Sequence, residues 1–225
     1  MKSLYSILIS SFFLLASGYA LAQPVNERFA RITTENMSAD QKKYFDQLMS
    51  GPVSATGSAA VVKGSNSLGA PFNIWLRSPK LAESFRAVSE QIRFNSSLPL
   101  RLNEFAILIT AQKWSSPYEW YAHHRLALKA GLDPRIADQL AQGIKPQGMG
   151  NEEEAIYDFV TELLATNQVG DRNFIKVKNL FGEQGVVDLI ATTGYYVLVA
   201  MALNVNRTPL PSGAQYTIQA PKETQ

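Results

Sequence analysis

Apolar residues recur at helical spacing along most of this chain, and short polar steps built on Ser, Asp, Pro or Gly cut the pattern into segments. Ser38-Ala39-Asp40-Gln41 has the spacing of a capping box, and Tyr44, Phe45, Leu48 and Met49 follow as an apolar stripe, which predicts a first helix. Residues 51–69 are rich in Gly, Ser and Ala and predict a long loop, expected either to cover a site or to be mobile. Ser78-Pro79 opens the next helix, with Leu81, Phe85, Val88 and Ile92 as its expected buried stripe. A break at Ser96-Ser97-Leu98-Pro99 precedes a helix over roughly 100–114. Ser116-Pro117 starts another, ended by Gly131, and Asp133-Pro134 starts one that stops near Gly143. Asn151, followed by Glu152, Glu153 and Glu154, opens a further helix, since early acids suit the positive end of the helix dipole. Asp171 caps one with Phe174, Val177 and Phe181 inward.

The last helix, about 183–204, is apolar nearly all round. Its length would serve a membrane span. Asp188, Thr192, Thr193, Gly194, Tyr195 and Tyr196 instead predict burial in a protein core or subunit interface. No segment alternates as a strand does, so the expected class is all-α.

Composition adds a location. Lys2, the apolar run from Leu4 to Leu15, and Ala20-Leu21-Ala22 ahead of Gln23 read as a signal peptide over 1–22, predicting a periplasmic or secreted protein that leaves the membrane after cleavage. The net charge is only +2 and no basic cluster is interleaved with aromatics, so nucleic acid is not an expected partner. Exported proteins of this size often carry disulfides; this sequence has no cysteine, and its stability must come from packing.

The two histidines, His123 and His124, are adjacent. Glu119 lies one helical turn before His123, so carboxylate and imidazole share a face and can exchange protons near neutral pH. The same glutamate closes the pattern Ser116-x-x-Glu119, a capping box in which it would merely bind backbone. Both readings stand on the sequence. Adjacent histidines diverge on a helix, so no metal site is expected.

The segments Pro71-Phe72-Asn73-Ile74-Trp75-Leu76, Ser78-Pro79, Leu81-Ala82-Glu83 and Leu98 to Glu104 resemble the carboxymuconolactone decarboxylase-like family. So do Tyr118-Glu119-Trp120-Tyr121-Ala122-His123-His124-Arg125, then Ala127, Ala130-Gly131-Leu132, Gly194-Tyr195-Tyr196 and Pro209-Leu210-Pro211. The likeness spans roughly 70–211 and implies an alkylhydroperoxidase-like helical bundle over 71–211. An N-terminal arm over 23–70, with one helix and the Gly/Ser-rich loop, would precede it, and an extended tail over 212–225 would follow. The alkylhydroperoxidases of this fold carry Cys-x-x-Cys-x-x-x-His with a glutamate upstream. On this chain the cysteines fall at Ser116 and Glu119, the histidine at His123 and the glutamate at Glu104. A thiolate peroxidase is excluded, because its nucleophile is missing.

What the resemblance then implies is a cofactor-free lyase. His123 would be its acid or base, Glu119 would tune it, and Glu104 would complete a relay. The family's named reaction decarboxylates a muconolactone in the cytoplasm, whereas residues 1–22 predict export. The expected substrate is therefore a small cyclic carboxylate or lactone of a more general kind. Trp120 and Tyr118 are expected to line its pocket, His124 to sit at the site edge or a subunit contact, and Arg101 either to pair with Glu104 or to clamp a carboxylate. A homo-oligomer is also implied. Two alternatives remain: a non-catalytic small-molecule-binding protein on this fold, and an isomerase or hydrolase of a lactone-like substrate.

Overall fold

A computed structural model of the protein describes residues 27–56, 58, 60, 61, 63–215 and 218. The expected signal peptide and most of the expected tail lie outside these residues. Among the described residues the secondary structure is helical, with a single isolated bridge between Thr33 and Ser67 and no strand. In chain order the helices are α1 (Ala39–Ser50), α2 (Pro52–Ala55), α3 (Phe72–Trp75), α4 (Pro79–Phe94), α5 (Leu100–Lys113), α6 (Pro117–Lys129), α7 (Pro134–Ala141), α8 (Asn151–Thr166) and α9 (Asp171–Asn206). The all-α class holds.

Helix ends follow local chemistry. Ser38 and Gln41 form the reciprocal box, with the Ser38 N–H donating to Gln41 Oε1 at 2.9 Å and the Gln41 N–H to Ser38 Oγ at 3.4 Å. Pro79, Pro117 and Pro134 occupy first helical positions, where a missing N–H costs nothing. Asp133 accepts from the Arg135 N–H at 2.8 Å, and Glu153 reaches back to the Gly150 N–H at 2.8 Å. The two helices expected after Asp171 run on as α9 but break at Gly182, whose φ of 71° lies in the left-handed region.

Helix α5 is the centre of the bundle. All ten residues from Leu102 to Ala111 are buried, so over this stretch it has no solvent face. It packs against α6, α7, α8 and α9. Just before Glu104, Asn103 ties three elements together: its Nδ2 donates to the Ile92 carbonyl of α4 at 2.9 Å and its Oδ1 accepts from Thr192 of α9 at 2.8 Å. Asp188 adds a second tie, accepting from the N–H and hydroxyl of Ser97 at 2.7 Å each.

The segment before α3 packs a satellite core of Tyr44, Phe45, Leu48, Val53, Leu68, Phe72 and Leu76. It is pinned to the bundle by Asn73, which exchanges two hydrogen bonds with Ile32 (3.1 and 2.8 Å), and by Asn206, which accepts from the Arg28 and Phe29 amides at 3.0 Å. The stretch expected as plain loop contains α2 and turns its middle inward. A Cβ on Gly69 would lie 2.9 Å from the Ala60 Cα, so only glycine permits that approach.

Several buried-face expectations need correction. On α4 the buried side chains are Ala82, Ser89 and Ile92, while Leu81 and Val88 are 49% and 43% exposed. On α9 Val177 is inward, but Phe174 is exposed. The apolar part of α9 is half buried: Leu189, Thr192, Tyr196 and Val199 face the bundle, and Val187, Ile190, Met201 and Val205 are exposed.

Asn103→Ala should leave the Thr192 hydroxyl and the Ile92 carbonyl without their shared side-chain partner. The expected loss is about 2–4 kcal/mol, or roughly 5–15 °C in Tm, by thermal or urea unfolding.

Candidate functional site

Glu104 arises from the buried middle of α5, and a carboxyl there must find a partner or lose its hydration uncompensated. Its partner is His123 of α6: Glu104 Oε2 lies 2.8 Å from His123 Nδ1, with both side chains shielded from solvent. With the Nδ1 proton donated to the carboxylate, Nε2 is left as the free ring nitrogen. The His123 ring stands edge-on to Tyr196 of α9, centroids 4.8 Å apart, and Tyr196 stands edge-on to Tyr195 at 5.5 Å. The imidazole is thus held by a carboxylate on one side and an aromatic on another.

Glu119 also lies in the interior, one turn before His123, and the capping-box reading fails for it. The Ser116 N–H donates to the Ala111 carbonyl at 2.9 Å, so the backbone donor a cap would use is already taken. Neither Glu119 oxygen has a hydrogen-bond partner, and the Ser116 hydroxyl is unpaired as well. Burial pushes the Glu119 carboxyl well above the ordinary carboxylate range; the nearby Ser116 hydroxyl opposes this weakly, without reaching hydrogen-bond geometry. The three-member relay is therefore not assembled as expected: Glu104 touches His123, and Glu119 is bonded to neither.

What Glu119 and His123 share is a cavity of about 50 Å³, room for roughly three or four waters. Tyr118, Ala122, Leu126, Tyr195, Tyr196 and Val199 line its bundle side. Ser58, Ala60, Ala70, Pro71 and Phe72, from the N-terminal segment and α3, close the other side. The 51–69 stretch thus contributes to the cavity wall. Burial raises the phenol of Tyr195 to about 12 and pushes that of Tyr196 well above the ordinary phenol range, so both are neutral O–H groups. A wider groove of about 620 Å³ adjoins, lined by Thr56, Arg93, Phe94, Leu98, Asn103, Glu104, Leu126 and Lys129. Arg93 and Leu126 belong to both. Among the described residues no cluster of His, Asp and Glu could hold a metal ion.

The other expected site residues divide. Tyr118 lines the cavity. Trp120 does not: it is 1% exposed, sits in the main core and stacks on His124 with centroids 5.7 Å apart. The helical turn explains this, since Glu119, Ala122, His123 and Leu126 share one face of α6 while Trp120 and His124 project from the other. Arg101 pairs with Glu152 at 3.1 Å and with Glu153, both in the first turn of α8, and lines neither cavity. It fastens two helices rather than clamping a ligand or pairing with Glu104.

No family model matches the sequence, and no curated protein matches it. Solved structures do. An uncharacterized peroxidase-related protein from Ralstonia eutropha JMP134, described as an alkylhydroperoxidase AhpD core, matches with a TM-score of 0.64 at 17% identity, covering 85% of this chain and 95% of that one. The chain has the AhpD fold. An uncharacterized peroxidase-related protein from Silicibacter sp. TM1040 matches with a TM-score of 0.64 at 12% identity, over 89% of this chain and 98% of that one. The debrominase Bmp8, solved with 2,3,4-tribromopyrrole, matches at 0.63 and 10% identity, over 83% and 95%. At these identities the likeness establishes the AhpD fold, the one the sequence resemblance implied, and no activity. This AhpD-fold chain holds Ser116 and Glu119 where the thiol enzymes of the resemblance place cysteines.

Unfolding would let Glu119 ionise at an ordinary carboxylate pKa, near 4.3, while the folded protein holds the proton to higher pH. Its contribution to stability is then complete below that ordinary value and falls as pH rises toward the raised folded value. Glu119→Gln, an uncharged isostere, should raise Tm by several degrees at about pH 8, and the gain should vanish near pH 4. Thermal melts across pH check this; a gain independent of pH would mean the carboxyl is not held neutral.

Proposed function

We propose that this protein is a proton-transfer enzyme of the decarboxylase type, acting on a small cyclic carboxylate or lactone. The observation that carries the reading is the Glu104–His123 pair at 2.8 Å beside a cavity that also contains the unpartnered Glu119 carboxyl. Glu104 fixes the imidazole in the tautomer whose Nε2 accepts a proton. Glu119, kept protonated by burial, is the matching acid. In a decarboxylation the C–COO⁻ bond breaks, carbon dioxide leaves, and the electron pair moves onto the conjugated ring. A proton from Glu119 or protonated His123 completes the product, and solvent restores the donor. The neutral phenols of Tyr195 and Tyr196 can hydrogen-bond the developing oxyanion.

The reading keeps export and self-association. Residues 1–22 support the first. The exposed apolar Val187, Ile190, Met201 and Val205 of α9 support the second. Analytical ultracentrifugation should give a homo-oligomer whose order falls when Ile190 and Met201 are changed to Glu.

A second reading, a binding protein without chemistry, draws on one observation: Glu119 is not bonded to His123. The aromatic-walled cavity together with the groove that adjoins it, in the fold of a debrominase seen with a small halogenated ring, suits a compact ligand seated across both under either reading.

Turnover of a panel of lactones and cyclic acids separates them. Wild type should convert at least one member, His123→Gln should lose about 10²–10⁴-fold in kcat, and Glu104→Gln about tenfold or more. Unchanged turnover in the His123 variant overturns the mechanism, and binding without turnover by wild type favours the second reading.

A further inference from the structure

Arg93 is held differently from Arg28, Arg31, Arg77, Arg86, Arg101 and Arg135. Arg86, on the same helix, is held by Glu83 and by both oxygens of Glu90 at 2.8 Å. Arg101 pairs with Glu152 and Glu153, Arg135 with Asp133, and Arg31 with Glu27. Arg77 donates to the Asn73 and Ala30 carbonyls, and Arg28 to that of Val205. Among the described residues no carboxylate pairs with Arg93. Its guanidinium lies 5.1 Å from the centroid of the Phe94 ring, and its Nε is shielded from solvent without an acceptor.

A shielded donor of a permanent cation without an acceptor is unfavourable, and such groups are rare unless something else fills the gap. Arg93 sits in the last turn of α4, where a cation suits the helix dipole. The dipole alone, however, does not require the side chain to turn into a cavity wall. Its position is also singular: with Leu126, it forms the boundary common to the inner cavity of His123 and Glu119 and the outer groove of Glu104. Its charge reaches Tyr195 and Tyr196, favouring negative charge at their hydroxyls. The nearby acids do not cancel it, since Glu119 is held neutral, Glu104 is engaged with His123 and Glu90 with Arg86.

We infer that Arg93 is the anion-recognition residue of this site, binding a carboxylate or comparable monoanion carried by a small apolar body that spans the boundary between groove and inner cavity. A guanidinium is suited to this by its planar fork of donors. The inner cavity, at about 50 Å³, is too small for a whole ring, whereas a ligand anchored at Arg93 can place only its reacting edge beside His123. In a decarboxylation the anion on Arg93 is the group retained, since stabilising the departing carboxylate would slow its loss.

This inference rests on the site of the proposed function but not on turnover, so equilibrium binding tests it separately. The probes are benzoate and its neutral isostere benzamide, titrated by calorimetry into the full-length protein, into Arg93→Gln and into Arg93→Lys. Wild type should bind benzoate at least about tenfold more tightly than benzamide. Arg93→Gln should abolish that preference while leaving benzamide unchanged, and Arg93→Lys should restore part of it. Circular dichroism and Tm should show the variants folded; because both probes are read in the same protein, the preference remains interpretable if stability drops. Equal affinities in wild type, an undiminished preference in Arg93→Gln, or no benzoate binding at roughly 10 mM overturns the assignment. Selective benzoate binding without turnover of any lactone would instead count against the proposed reaction and leave Arg93 in its role.

Discussion

Helix α5 is enclosed on every side from Leu102 to Ala111, and this enclosure governs the chemistry that the bundle can host. A helix with ten successive buried residues cannot discard a polar side chain to solvent, so each one it carries must be matched inside. Asn103 is matched by Ile92 and Thr192, and Glu104, the next residue, by His123. The same packing that stabilises the bundle therefore presents an oriented imidazole to a cavity, and its position is set by three helices rather than by a loop.

Around that imidazole the electrostatics are uneven in a useful way. Glu104 and Glu119 are both glutamates in the interior, but one has a partner and the other has none. Burial without a partner favours the protonated form, so neighbouring carboxyls are suited to different tasks by environment alone. The neutral phenols of Tyr195 and Tyr196 extend the cavity wall without adding charge. Arg93 then stands as a cation at the edge of a site whose acids are neutral or engaged.

Helix positions were largely legible in the sequence, because Ser-Pro, Asp-Pro and acidic first turns act locally and need no tertiary partner. The Glu104–His123 juxtaposition was legible only through a family resemblance, since nineteen residues separate the two and no spacing rule joins them. Three readings failed for identifiable reasons. Ser116-x-x-Glu119 has the letters of a capping box, yet the preceding turn had already claimed the Ser116 amide. Trp120 is next to Glu119 in sequence and on the other face of the helix in space. Arg101 found its acids on α8, a contact across the fold that α5 does not announce. Arg93 stands out by a shielded Nε without an acceptor and by having no carboxylate partner among the described residues, which no local pattern encodes.

One wall of the cavity belongs to a different part of the molecule from the other. His123, Glu119 and the tyrosines come from α6 and α9, whereas Ser58, Ala60, Ala70, Pro71 and Phe72 come from the N-terminal segment and its continuation into α3, with a satellite core nearby. The titratable groups of the cavity and the wall that faces them thereby come from separate stretches of chain. Substitutions at Ser58, Ala60 or Phe72 would reshape the cavity while leaving the Glu104–His123 pair and its supporting helices in place. The glycine at position 69, which lets the backbone fold tightly against Ala60, thereby acts as a spacer: a residue with no side chain sets where Ala60, part of the wall facing His123, comes to rest.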